Sequence, residues 1–386
     1  MFETRKKKKQ RLTQSFGEIK EDPFYFDSIE KYFRNKDHTG AFQILSDKTC
    51  NDLDFNELFK FLDRTISKIG QQFLYNALRS IPPDSDKFTE QEKLIQKITD
   101  DANLRLYIQL QLDKLTRESS YFITTLFQDE YIKKPKWFFI IPLLSFSTLM
   151  SVLLLPSTPQ IIFFLLPVIL INLGIHYWNK QNLHEYLGTI PHLLILTKVA
   201  KKLLKCKILK EIEGDVPESI SRIEKIKAHM SFFKLEVQVQ TDIGTAFLTF
   251  LELFKAFFLL EPILLFGVLN QLDKKRREIE NVYSFVGYAD TIVSIASLRN
   301  GLKSFCLPQI ESNQKVLDAT EIYHPLIIDC VSNSIQVDGN SILLTGSNMS
   351  GKTSFIRTIG LNIITGLTMN TCFARQFCFP CLFRTY

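Results

Sequence analysis

A mainly α-helical core carrying a two-helix transmembrane hairpin, followed by the start of an α/β P-loop NTPase domain, is the fold that these 386 residues predict. Three observations predict it. Apolar residues recur at three- and four-residue spacing between Asp54 and Leu115. Trp137 to Trp178 contains no Asp, Glu, Lys or Arg over 42 residues. Gly346-x-x-x-x-Gly351-Lys352-Thr353 stands between a short apolar run and a helical pattern. The length suits two or three domains with a sizeable core.

Taken in chain order, the first segment is 1–53, a basic N-terminal tail and leader. The net charge of +6 is concentrated there, since Arg5, Lys6, Lys7, Lys8, Lys9 and Arg11 face only Glu3 within eleven residues. The rest of the chain is nearly neutral, which excludes a whole-surface basic footprint for duplex DNA. The stretch has no apolar run after it and is no signal peptide. It reads as a solvated, disordered terminus, with anionic lipid headgroups or nucleic-acid phosphates as alternatives. Seven scattered cysteines without a secretory signal read as reduced thiols. Cys378 and Cys381 have C-x-x-C spacing, but no second pair or histidine cluster completes a zinc site.

Residues 54–130 predict the first part of a helical core. Leu58, Leu62, Ile66, Ile69, Phe73, Leu74 and Leu78 make one apolar stripe. Residues 131–180 predict the hairpin. Pro156-Ser-Thr-Pro159 divides Trp137–Leu155 from Ile161–Trp178, each close to the ~20 residues that cross a hydrocarbon core. Helices satisfy their own backbone there. Both tryptophans should lie at one membrane face, flanked by Lys133, Lys134, Lys136 and Lys180, with an uncharged turn at the other. The positive-inside rule then places both termini in the cytoplasm. A buried hairpin of a soluble core is the competing reading.

Residues 181–320 predict the second part of the core and a lever. Lys198, Lys201, Lys202, Lys205, Lys207 and Lys210 read as a solvated face, with DNA or lipid contact as the alternative. Phe247 to Leu269 is very apolar, but Glu252, Lys255 and Glu261 would be costly in lipid. It reads as a long helix buried against the core, with a third membrane span as the alternative. A water-facing stretch follows from Leu272 to Asn281.

Residues 321–386 predict the N-terminal part of the P-loop domain. Ile342, Leu343 and Leu344 suit a buried strand, and a helix starts near Ser354. Glycines let backbone N–H groups close round phosphate oxygens at a helix start. The candidate nucleotide-binding residues are Gly346, Ser347, Asn348, Met349, Ser350, Gly351, Lys352, Thr353 and Ser354. Lys352 would reach the β/γ-phosphates of ATP, and Thr353 would hold Mg²⁺.

The inner letters Thr345-Gly346-Ser347-Asn348-Met349-Ser350-Gly351-Lys352-Thr353 resemble the nucleotide-binding loop of the MutS family of DNA mismatch-repair ATPases, usually TGPNMGGKS/T. Ser347 and Ser350 depart from it without removing a phosphate-binding group. Leu62-Asp63-Arg64-Thr65 with Gly70 resembles the opening of that family's helical core. Val286 to Gly301 resembles the helix that ends its lever. Tyr323-His324-Pro325-Leu326 resembles the element that opens its ATPase domain. His324 at a strand edge is read as structural, with nucleotide contact as the alternative.

The resemblance implies ATP binding with Mg²⁺, a composite site in a homodimer, and DNA as an inherited expectation. The family's mismatch-reading domain and DNA clamp find no room. Nor does this sequence supply its Asp-Glu strand, signature loop or later histidine after Lys352. Cys372 to Tyr386 shows no helix or strand signal and fits a truncated reading frame. The first reading is a membrane-tethered MutS-like protein of a bacterial inner membrane, cut within its ATPase domain, with hydrolysis left open. A non-enzymatic membrane-anchored nucleotide sensor or scaffold, and a transporter ATPase, are the rivals.

Overall fold

The computed structural model describes residues 4–83, 87–132, 134–182, 184–212, 214–227, 230, 245–311, 316–346 and 351–380. The helices, in chain order, are α1 (Arg5–Gln14), α2 (Phe26–Arg34), α3 (Asp47–Asp52), α4 (Phe55–Leu62), α5 (Lys68–Arg79), α6 (Lys87–Asp100), α7 (Ala102–Leu112) and α8 (Thr125–Gln128). They continue as α9 (Ile140–Leu154), α10 (Ile162–Asn182), α11 (His184–Leu203), α12 (Lys207–Lys210) and α13 (Val216–Glu224). The last are α14 (Thr245–Phe257), α15 (Leu260–Asp273), α16 (Arg276–Gly301) and α17 (Lys352–Met369). The fold is mainly helical. Its contacts divide it into two compact units, residues 1–117, 203–212 and 284–386, and residues 118–202 and 213–283.

In the first unit the basic N-terminal stretch is a helix rather than a disordered tail. Leu12 is buried, and Lys8 and Arg11 both pair with the buried carboxylate of Asp113. That anchor gives the exposed basic residues a fixed backbone. The apolar stripe is buried as its spacing requires, with Leu58, Leu62, Ile69, Leu74 and Leu78 fully covered and Ile66 and Phe73 half-buried. The stripe runs over two helices, not one. Asp63 ends α4, and Ser67 starts α5 by accepting the Gly70 N–H at 2.9 Å. Asp63 is buried and accepts Lys20 Nζ at 2.8 Å, Gln71 Nε2 at 2.6 Å and Thr65 N at 2.9 Å.

The two segments around Leu62–Gly70 and Val286–Gly301 meet here. Asp290 on α16 accepts the N–H groups of Ile66 (2.9 Å) and Ser67 (2.7 Å), and Ser294 Oγ accepts Arg64 N at 2.9 Å. Gly70 makes the approach feasible, because a Cβ there would lie 2.2 Å from Asp290 Oδ2.

Among its described residues the unit has two small sheets. β1 (Gln43–Ile44) pairs antiparallel with β2 (Ser80–Ile81). β3 (Gln309–Glu311), β4 (Val316–Ile322), β5 (Asn333–Asp338) and β6 (Gln376–Pro380) form a mixed sheet in the order β3-β6-β4-β5, with β3 parallel to β6 and the other pairs antiparallel. Two expectations are corrected. Ile342, Leu343 and Leu344 form no strand and are 52%, 86% and 40% exposed. An extended run becomes a strand only when a neighbour supplies ladder partners, and none pairs with it among the described residues. Conversely, the stretch after Cys372 does contain a strand, β6, with Phe377, Cys378 and Phe379 buried. Cys381 lies outside the described residues.

In the second unit two helical segments, Lys136–Leu154 and Pro159–Gln181, are long and apolar enough to cross a membrane. Each begins with a short 3-10 turn and continues as α9 or α10. Trp137 and Trp178 stack edge to face, with ring centroids 5.1 Å apart, so both lie at the open end of the hairpin. Large apolar side chains point outward, among them Phe163 (79% exposed) and Leu170 (69%). The stretch from Phe247 to Leu269 is not one helix. It breaks between α14 and α15 at Leu259, whose φ of +48° lies in the left-handed region. The freed carbonyls of Phe257 and Phe258 accept Asn172 Nδ2 (2.7 Å) and Ser145 Oγ (2.7 Å) from the hairpin helices, which stabilises the break. Lys198, Lys201 and Lys202 are exposed, as are Lys205, Lys207 and Lys210 of the first unit.

Candidate functional site

Gly351 is the N-cap of α17 with φ +78°, a conformation that favours glycine, and its side-chain position offers no cap. The helix therefore begins with N–H groups available to an external acceptor. Lys352, its first residue, curls back and donates from Nζ to the Gly346 carbonyl, closing a ring across the loop. Ser347, Asn348, Met349 and Ser350 lie outside the described residues. Thr353 is exposed beside Lys352, whereas Ser354 is half-buried, and its carbonyl accepts Thr358 Oγ1 at 2.7 Å. Lys352 and Thr353 thus project from the start of an 18-residue helix, whose dipole favours anions there.

The far half of α17 is buried through Leu361, Ile364, Leu367 and Met369. Asn362, fully buried, donates to Thr358 O at 2.8 Å and accepts Phe373 N–H at 2.5 Å. The helix ends at Asn370 in the left-handed conformation. There Arg299 of α16 donates to Asn370 O (2.8 Å) and Thr371 Oγ1 (3.0 Å) and pairs with Glu92 of α6 at 2.7 Å. Asn370 Nδ2 reaches the other Glu92 oxygen at 2.9 Å. One end of α17 carries the loop, and the other is bonded to two core helices.

His324 is buried, its Nδ1 accepting the Leu326 N–H at 3.3 Å. Arg357 of α17, further along the helix than Lys352, pairs with Asp54. Burial, then the Arg357 charge, hold the His324 imidazole below its ordinary value, with Asp54 pulling the other way. Unfolded His324 takes up its proton near pH 6.5, and the folded residue only at lower pH. Its stabilising contribution is therefore full above that value and is lost as pH falls through the lowered folded value. Thermal melts should show a decline beginning near pH 6.5 that His324→Gln flattens; an unchanged decline would exclude this origin.

Sequence reasoning missed Arg299, Glu92, Asn362 and the Arg357–Asp54 pair. For Asn370 a signal existed, since Asn directly after a helical pattern is a stop signal. Asn362 lies four residues after Thr358 on the buried face, but a polar residue on a core face says nothing of its partner.

No family model matches the chain. The DNA mismatch repair protein MSH3 of Lodderomyces elongisporus is 28% identical over 103 residues, which is 25% of this chain and 10% of that protein. This is a weak, partial similarity to a MutS-family mismatch repair protein.

Proposed function

We propose that this chain is a membrane-tethered, MutS-like ATP-binding protein in which nucleotide at Gly346–Ser354 is coupled to the helical core through α17. The carrying observation is the Lys352-to-Gly346 contact at the head of a helix whose tail is bonded to Arg299 and Glu92. In this reading the phosphates replace the Gly346 carbonyl as the partner of Lys352, and Thr353 holds Mg²⁺. Movement of the helix head is then felt at the Arg299 junction. Lys352→Ala should weaken binding of a fluorescent ATP analogue about 100-fold, as expected for a charge-assisted contact. Binding that survives the substitution would remove the P-loop assignment.

The tether is supported by the outward-facing apolar side chains of α9 and α10, which water would solvate at a cost of about 25 cal/mol per Å². Lipid covering both helices, with the tryptophan end at the cytoplasmic face of an inner membrane, resolves that exposure. DNA contact and a homodimer rest on the MutS likeness. DNA contact predicts duplex binding strongest at low salt.

A further inference from the structure

We propose that His176, Glu252 and Glu261 form a binding site for a divalent transition-metal cation between α10, α14 and α15. The proposal is independent of the nucleotide reading. One ligand atom from each residue lies within 4.8 Å of the others. The break at Leu259 makes this juxtaposition. In one straight helix Glu252 and Glu261, nine residues apart, would be separated by about 13 Å. With the break at Leu259, Glu252 lies beside His176 and Glu261 beside Asn179, three residues apart on α10.

The cluster is more than a group of paired charges. Asn179, fully buried, donates from Nδ2 to Glu261 Oε1 at 3.1 Å, while its Oδ1 has no hydrogen-bond partner. His176 Nδ1 is also buried without a partner, and its Nε2 stands 3.8 Å from Glu252 Oε2, too far to share a proton. Buried polar atoms without partners are costly, and a cation bound through the imidazole would offset part of that cost. Two lysines already neighbour Glu252, Lys255 buried and Lys180 exposed. Lys255 Nζ is 3.4 Å from Oε1, and Lys180 Nζ is 3.3 Å from Oε2. Lys180 is half exposed and can turn to water when a metal takes its place.

One imidazole and two carboxylates select the class. Such N/O donors suit Mn²⁺, Fe²⁺, Co²⁺ or Zn²⁺ rather than soft Cu(I). Ligand atoms at ~2.1 Å from a tetrahedral centre are about 3.4 Å apart, so the cluster need contract by little more than an ångström.

The test is Co²⁺ titration of the full chain, metal-stripped and nucleotide-free, in detergent micelles. The expected result is one equivalent of Co²⁺ with visible d–d absorption, displaced by Zn²⁺, and no near-ultraviolet thiolate band. Glu261→Gln and His176→Ala should each weaken binding at least about tenfold, with helical circular dichroism unchanged. No binding, undiminished binding in folded variants, or a thiolate band pointing to the cysteines would each overturn the proposal. If a variant fails to fold, the wild type decides. A paramagnetically shifted imidazole N–H signal is expected in the Co²⁺ complex, and its absence would refute histidine ligation.

Discussion

Gly70→Ala is expected to remove about 3–5 kcal/mol of stability, a large part of the 5–15 kcal/mol that holds a typical domain together. The cause is spatial, since Gly70 is needed for closeness. Its Cβ would meet Asp290 Oδ2 at 2.2 Å and Cγ at 2.5 Å, so either α16 retreats or the carboxylate swings away. Overpacking of this kind costs about 1–3 kcal/mol. A displaced carboxylate also strands the N–H groups of Ile66 and Ser67 and the Ser67 hydroxyl, now bonded at 2.9, 2.7 and 2.5 Å. Each buried donor left without a partner adds about 1–3 kcal/mol, partly recovered by relaxation. Urea unfolding followed by circular dichroism should show the midpoint fall sharply. A midpoint within error of the parent would mean that α5 and α16 do not meet as described.

Arg299→Ala has the second large effect, about 3–5 kcal/mol, because it leaves a mostly buried carboxylate without its counter-charge. The Arg299 and Glu92 side chains are 6% and 16% exposed. The guanidinium also bonds Asn370 O and Thr371 Oγ1, so the tail of α17 loses its attachment to α16. The double variant Arg299→Ala/Glu92→Gln should recover part of the loss, since the stranded charge is gone. In the proposed coupling the single variant still binds nucleotide but no longer passes the signal to the core. A loss below 1 kcal/mol, or no recovery in the double variant, would contradict the buried pair.

What could be read from the sequence was local. The stripe through Leu58, Leu62, Ile69, Leu74 and Leu78 needed only helical periodicity. The hairpin needed only the absence of charge and the Pro156–Pro159 punctuation. The helix after Gly351 followed from apolar spacing. What escaped depends on residues distant in the chain. Asp290 lies more than 200 positions from the N–H groups it accepts, and nothing near Val286–Gly301 announces that role. The break at Leu259 has no glycine to mark it; it is held by Asn172 and Ser145, which hydropathy counts as interruptions in an apolar run. Ile342–Leu344 failed in the opposite direction. Composition suited a strand, but strand formation is decided by the neighbour. At the candidate site, the loop letters and Lys352 were legible, while Arg299, Glu92 and Asn362 were not. They act at the other end of the helix, where sequence shows polarity without geometry.

The stacked tryptophans carry one more consequence. The chain has two tryptophans, and their rings lie against each other at the open end of the hairpin. All indole emission therefore originates from one small volume of the second unit. Excitation on the red edge reads the environment of the hairpin mouth and nothing of the loop, the small sheets or the stripe of α4 and α5. Fluorescence and far-ultraviolet dichroism, recorded on one sample, consequently follow different parts of the molecule. The protein carries its own reporter for separating the behaviour of its apolar hairpin from that of the rest of its helices.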